Sequence, residues 1–542
     1  MSKINLYKFN LKNCARTMRN LAFRCGQRQA RQLHTGKPQT WQRHTGLGQK
    51  GQIGQVQIGQ RQALPLRFFA FCLFLSISVH AQTTQLTLSE VVEMAKNQSI
   101  SARQASTTKE TKYWEYRTFL SNYKPQLTLS GNLPAFSRSF IEVRQPDGTI
   151  QFQPIRNNNS SLNLSLSQSI AATGGSIYAT SQLQRFDDFD RKNTLYNGTP
   201  FAVGYLQPLL RFNSFKWDKK IEPLKFNESQ QTYIESLEQI ALRASGLFFD
   251  LLLAQVNLQI AETNLTNTQN ILKVANEKYE LGKNTRNEIL QLQLELLKAR
   301  KAVGVSKRDL EVASLNLKAY IGLQAEGKIE LQTPAQPAAL TLSSERAIEQ
   351  AFANRSDAIA FGRRTLEAER AVAKAKGDNG LNATLTATLG FSNRGITVPE
   401  LYRKPQDQQT VELQLDIPIL DWGRSKSRTK TAEAQRQLTQ YTVEQDKQNF
   451  QQEIYTQVTL FEMLRDQLSL TVQADSIASE KYRIAQDRYV LGNLSITDLS
   501  ISFTEKDQAK RDYIYALRDY WGAYYKLRQL TLYDFETESK LK

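Results

Sequence analysis

Ala275-Asn-Glu-Lys-Tyr279-Glu-Leu281-Gly282-Lys283-Asn-Thr285-Arg-Asn-Glu288-Ile289 decides the fold, because the chain spells this stretch twice. It returns as Ala485-Gln-Asp-Arg-Tyr489-Val-Leu491-Gly492-Asn493-Leu-Ser495-Ile-Thr-Asp498-Leu499. The same offset pairs Pro208 with Pro418, Leu210 with Leu420 and Phe212 with Trp422, so a long unit is duplicated rather than one short motif. In each copy a helical pattern runs up to Tyr-x-Leu-Gly and a second begins a few residues later. Gly282 and Gly492 fit helix C-termini, where the backbone needs a positive φ. Thr285 with Glu288, and Ser495 with Asp498, have capping-box spacing for the next helix. Each copy therefore predicts a helix, a tight reversal and a helix.

Working outward, long helical patterns flank both tips. The stretches from about Asn227 to Tyr279 and from about Arg424 to Tyr489 would be ~80–100 Å long at the standard rise. Their return partners, Thr285 to Tyr320 and Ser495 to Leu530, carry apolar residues at three-four spacing, as at Leu292, Leu296, Ala299 and Val303. Helices this long and this polar must pack against neighbours in coiled-coil style. Each half opens with a further helix, one from about Leu86 to Tyr123 with Ser89 as its N-cap, the other from about Leu340.

Between these helices the period changes to two. Gln126–Leu133, Phe201–Leu206, Asn382–Leu389 and Val411–Ile417 alternate apolar and polar, which suits a half-buried strand and equally a barrel strand in lipid. The first half adds Ser161–Ile170 and Ser176–Leu183, joined through Gly174-Gly175, a hairpin signal without a counterpart in the second half. The polar connections 144–159, 186–200 and 394–409 read as loops.

The chain has 542 residues and a net charge of +18, but the basic excess is local. Residues 1–81 hold thirteen of the seventy Lys and Arg and no acid, and the rest carries 57 basic against 52 acidic residues. That ordinary balance argues against a nucleic-acid partner. Residues 64–81 have a positive flank, the apolar run Phe68–Val79 and small residues at Val79 and Ala81, which together read as a signal peptide cleaved before Gln82. Residues 1–63 are a basic low-complexity leader and are expected to be missing from the mature protein. Cys14, Cys25, Cys72, His34, His44 and His80 all lie in the first 81 residues. The remainder has neither cysteine nor histidine, which excludes disulfides, Cys or His metal ligands, thiol nucleophiles and His-based triads. The expected organisation is leader 1–63, signal peptide 64–81, first repeat 82–323, linker 324–342, second repeat 343–533 and a frayed tail 534–542.

The order helix, strand, strand, long helix, tip and return helix, given twice after a signal peptide, resembles the outer-membrane efflux protein family, the TolC-like channels. The specific matches are Pro418-Ile-Leu-Asp421-Trp-Gly423-Arg424, similar to the family's strand-to-helix corner, and Tyr489-x-x-Gly492-x-x-Ser495-x-x-Asp498-Leu499 at the tip. Gln207-Pro208-Leu-Leu210 and Tyr279-Glu-Leu-Gly282 are weaker first copies. The resemblance implies a mainly α protein with a β part. It would be a homotrimer whose strands form a shared transmembrane β-barrel, continuous with a periplasmic α-helical tunnel. It implies Leu281, Gly282, Lys283, Leu491, Gly492 and Asn493 as tips docking a periplasmic adaptor, which in turn meets an inner-membrane pump. Asp498, with Glu288 as its repeat partner, falls where the family narrows the tunnel entrance with carboxylates; a capping acid explains both equally well. Ile501 departs from the family's second acidic ring. Pro208, Pro418 and Gly423 mark the corners.

The expected function is an outer-membrane exit duct in a Gram-negative bacterium, serving tripartite efflux or type I secretion, with no cofactor, no metal and no catalysis. The alternative is a secreted periplasmic coiled-coil scaffold without a pore, for which alternating strands have no use. A carboxylate-dependent hydrolase is a third reading with only negative support.

Overall fold

In the computed structural model the described residues are 84–282, 284–323, 327–335, 340–491 and 493–542. The leader and the signal peptide lie outside them, as do Lys283 and Gly492.

Each half begins with a short helix that turns into a longer one. Helix α1, Leu88–Gln98, is capped by Thr87 rather than Ser89: the Thr87 hydroxyl accepts from Glu90 N while the Glu90 carboxylate accepts from Thr87 N, a complete capping box. The expected single helix then breaks at Ser99, whose extended backbone ends α1 and whose hydroxyl caps α2, Ile100–Ser121, by accepting from Ala102 N at 3.0 Å. The second half repeats the break at Arg355, between α5, Ser344–Asn354, and α6, Ser356–Asp378. Strand β1, Thr84–Leu86, pairs in parallel with β7, Ile329–Leu331, so the linker between the halves is itself partly ordered into a sheet.

The main sheet carries β2 (Gln126–Asn132), β3 (Phe136–Arg144), β4 (Ile150–Ile170), β5 (Gly175–Asp188), β6 (Asn193–Pro208), β8 (Asn382–Gly395) and β9 (Gln406–Asp416). Its order is β2-β4-β5-β6-β8-β9, all antiparallel, with β3 also on β4. Much of what reads as loop is strand here. Residues 150–159 pair with β3 and with the end of β5, and 186–200 extend the β5–β6 hairpin. Apolar residues such as Ile150 and Phe152, or Leu195, are too few among Asn, Asp, Arg and Lys to sustain a period of two, and the strands are set by backbone pairing. The expected Gly-Gly turn is a longer one over 171–174. Only Gly174 adopts a left-handed φ, at 78°, while Gly175 already sits in β5 opposite Ile170.

Beyond the sheet run α3, Ser214–Glu280, and α7, Arg424–Val490, each of 67 residues and thus about 100 Å long. Each reverses at a tip into a 36-residue partner, α4 (Arg286–Ile321) and α8 (Ile496–Thr531). The core lies where the middles of α3 and α7 meet α1, α5 and the ends of α4 and α8. Phe248, Phe249, Leu251, Ile454, Phe461, Leu317, Ile321, Ile514, Leu517 and Leu527 are fully buried there. Among the described helices α3 alone is long and apolar enough to cross a membrane, but 56% of its most apolar window is buried in this core.

A charged network crosses the core. Glu238 of α3, almost fully buried, receives Lys96 of α1 at 2.5 Å and Arg528 of α8 at 3.0 Å. Arg528 also holds Asp534 at 2.6 Å, and the Tyr524 hydroxyl donates to Asp534 at 3.1 Å. This anchors the C-terminal segment, expected to fray. It closes instead as a small hairpin of β10, Tyr533–Asp534, on β11, Ser539–Lys540, with Phe535 buried.

Candidate functional site

At the first tip α3 ends at Leu281, whose amide donates to Glu277 O. Gly282, at φ 72°, donates to Tyr279 O at 2.9 Å. At the second, α7 ends at Leu491, and Asn493 N reaches back to Arg488 O at 2.9 Å. At the first tip these are the bonds of a glycine-terminated helix end, and at both they satisfy last-turn carbonyls without lengthening the helix. The consequence is a pair of blunt ends from which Leu281 and Leu491 project, 71% and 75% exposed.

The two tips are held side by side. Ala275, Ile289 and Leu292 form one small core and Ala485, Tyr489 and Leu499 another; Ile271 and Ile496 pack against both. The Lys278 ammonium lies over the Tyr489 ring, 5.0 Å from its centre. Sequence reading missed this clamp, although Tyr489 and the glycine after it stood out as a motif, because contacts between two repeats have no local spacing.

The candidate acids differ in what they do. Glu288 completes a capping box, its carboxylate accepting from Thr285 N at 2.7 Å. Burial pushes the Tyr489 hydroxyl above its ordinary pKa, and the charge of Glu288 raises it further. Asp498 is one methylene shorter. Its amide donates to the Ser495 hydroxyl at 3.1 Å, and its carboxylate accepts from that hydroxyl at 2.7 Å without reaching the Ser495 backbone. Asp498 stays exposed. Among the described residues no ion pair or hydrogen bond joins the two acids.

At the opposite end the strands become helices through tight corners. Leu209, following Pro208, donates to Ala383 O at 2.9 Å, tying the first corner to β8. In the second, Trp422 and Gly423 both have left-handed φ, 55° and 84°, and Asp421 closes the turn: its carboxylate accepts from Gly423 N at 3.0 Å and Ser425 N at 2.8 Å. Around the corners Leu209, Leu210, Ile417, Ile419, Leu420 and Trp422 are exposed, Ile419 and Trp422 at more than 90%. The matched pair Leu210 and Leu420 carries this apolar collar in sequence.

The sheet above the corners has one apolar face and one polar face. On β8 and β9, Leu385 pairs with Leu413 and Ala387 with Val411, while Thr384, Thr386 and Thr388 with Gln414, Glu412 and Thr410 form the back. Phe201, Val203 and Tyr205 of β6 continue the apolar side. Val411, Leu413, Leu415, Leu127 and Leu129 are all more than half exposed. An exposed apolar face of this kind marks an interaction surface, and its alternation with a polar face matches the strands of a membrane barrel.

Residues 347–531, the bulk of the second repeat, match the family model for outer membrane efflux proteins. Over that stretch the chain is similar to outer membrane efflux proteins. Its fold is similar to that of solved outer-membrane channels. OprN shares 15% identity and a TM-score of 0.60, covering 82% of this chain and 89% of that one. CmeC of Campylobacter jejuni shares 15% identity and a TM-score of 0.58, covering 82% and 85%. VceC of Vibrio cholerae shares 15% identity and a TM-score of 0.57, covering 84% and 97%. Compared with curated proteins by sequence, the chain matches none. These solved neighbours are outer-membrane proteins, and at 15% identity the likeness to them is one of fold. Among the described residues no group of His, Cys, Asp or Glu is arranged to hold a metal ion.

Proposed function

We propose that the protein is a passive exit duct: a homotrimer whose sheets close into one barrel and whose helices form a periplasmic tunnel, serving tripartite efflux or type I secretion. The observation that carries this is the sheet with one apolar and one polar face, continuous through tight corners with two 67-residue helices. One sheet cannot close a barrel alone, and its edge strands β2 and β9 are exposed along their whole length. Unpaired edges are untenable in lipid, so neighbouring copies must cover them.

In this reading the tips dock a periplasmic adaptor linked to an inner-membrane pump. Leu281 and Leu491, exposed at their helix ends, offer the apolar contact, with Gly282 and Asn493 beside them; Lys283 and Gly492, the remaining docking candidates, lie outside the described residues. Asp498, exposed beside the tip, and Glu288 face the entrance and bias it toward cations. The mature chain begins after residue 81. No step requires a cofactor or a catalytic group.

The test is expression in a Gram-negative host, separation of the membranes and sequencing of the accumulated N-terminus. An outer-membrane product beginning at Gln82 and migrating as a trimer until heated is expected. A soluble periplasmic product would overturn the duct in favour of a helical scaffold.

A further inference from the structure

The hairpin of β4 and β5 is inserted into the sheet rather than hung upon it. In the order β2-β4-β5-β6-β8-β9 it separates β2 from β6, and β6 has no other partner on that side. The ladder between β4 and β5 runs unbroken from Asn157 opposite Asp188 to Ile170 opposite Gly175, ample for strands of about 9–11 residues that cross a bilayer at a tilt.

Register carries the apolar face straight across the insert. Leu127 and Leu129 of β2 lie opposite Leu166 and Leu164 of β4. Leu166 lies opposite Ala179 of β5, Ala179 opposite Val203 of β6, and Val203 opposite Leu389 of β8. Ser181, opposite Leu164, is the polar exception. Asn163, Ser165 and Ser167 with Tyr178, Thr180 and Gln182 hold the polar face.

The neighbouring strands are also shaped around the insert. The Tyr178 ring lies over Gly204, where a Cβ would come within 2.1 Å of it, and the Tyr178 hydroxyl reaches Thr388 of β8 at 3.0 Å. Below, the turn after β4 is fastened to the start of α3: the Asn213 amide donates to Ala171 O at 3.0 Å while its carbonyl caps the helix by accepting from Lys216 N.

We infer that this hairpin is barrel wall, so that each copy supplies six membrane-crossing strands instead of four, and β9 of one copy pairs with β2 of the next. The inference rests on the trimeric duct proposed above; three copies then close a wall of eighteen strands. Barrel width grows roughly linearly with strand number, so at equal tilt this exit is about half as wide again as one of twelve strands. The outer opening then suits bulkier cargo than a twelve-stranded wall passes.

The test uses single cysteines carrying nitroxide spin labels in the full chain, with Cys14, Cys25 and Cys72 replaced, purified and reconstituted in phospholipid vesicles. Labels replace Leu164 and Ser165 in β4, Ala179 and Thr180 in β5, and the reference pair Leu413 and Glu412 in β9. Collision with oxygen, which concentrates in lipid, is compared with collision with a water-soluble nickel chelate. The expected result is a reversal of that ratio between neighbours in all three pairs, with Leu164, Ala179 and Leu413 on the lipid side. Cysteine at Leu413 combined with cysteine at Leu127 or Leu129 should further give a cross-linked ladder that stops at three copies. If the reference pair alternates while both hairpin pairs face water, the wall has four strands per copy and the inference falls while the duct stands. A ladder stopping elsewhere overturns the eighteen strands. Loss of alternation at the reference pair sinks the duct and the inference together.

Discussion

At Gly423 the backbone decides, not the space: a Cβ there would meet nothing within 4 Å, yet φ is 84°. Gly423→Val should therefore cost about 1–2 kcal/mol through the left-handed conformation alone, seen as a lower temperature of heat dissociation with the fold retained. Gly282 is alike, at φ 72° with open space around it. Gly282→Val is expected to leave the barrel intact and to abolish pump-dependent export; unimpaired export would show that docking tolerates a reshaped turn. Asp498→Ala removes an exposed acid from the first turn of α8, worth about 0.3–1 kcal/mol to the helix. Stability should scarcely change, while cation selectivity in single-channel recordings falls; an unchanged trace would leave Asp498 as a cap.

At the scale of elements, the network around Glu238 locks α1, α3, α8 and the C-terminal hairpin together. Arg528→Leu strands Glu238 with Lys96 as its remaining partner and should cost about 3–5 kcal/mol, measured by thermal unfolding. Burial works against the Asp534 carboxylate, but the Arg528 charge and hydrogen bonds from Glu536 N, Thr537 N and the Tyr524 hydroxyl outweigh it and hold the carboxyl below its ordinary 3.8. With the folded pKa below the unfolded one, the stabilisation is complete above about pH 4 and is lost as pH falls through the folded value. Asp534→Asn should therefore lower stability at neutral pH and flatten its decline in acid. None of this network is legible from spacing, since Glu238 and Arg528 lie far apart in the chain and read as helix-surface charges.

In the whole molecule the membrane sets the penalties. Leu413→Lys, on the apolar face of an edge strand, should cost about 2–4 kcal/mol per copy at mid-bilayer and reduce trimer in the outer membrane, whereas Glu412→Lys on the polar face alters selectivity and leaves assembly unchanged. The long helices, the tips and six of the strands are legible along the chain, because period, capping spacing and glycine placement are local consequences of backbone geometry. The repeat then told which pieces correspond. What non-local pairing controls emerges in the folded chain alone: polar stretches read as loops are strands, the Ser161–Leu183 hairpin lies within the sheet, Ile271 and Ile496 bind the tips, and the C-terminal segment is pinned rather than frayed. Strand order, cross-strand register and buried ion pairs depend on which distant segments meet, and no period along one chain records that.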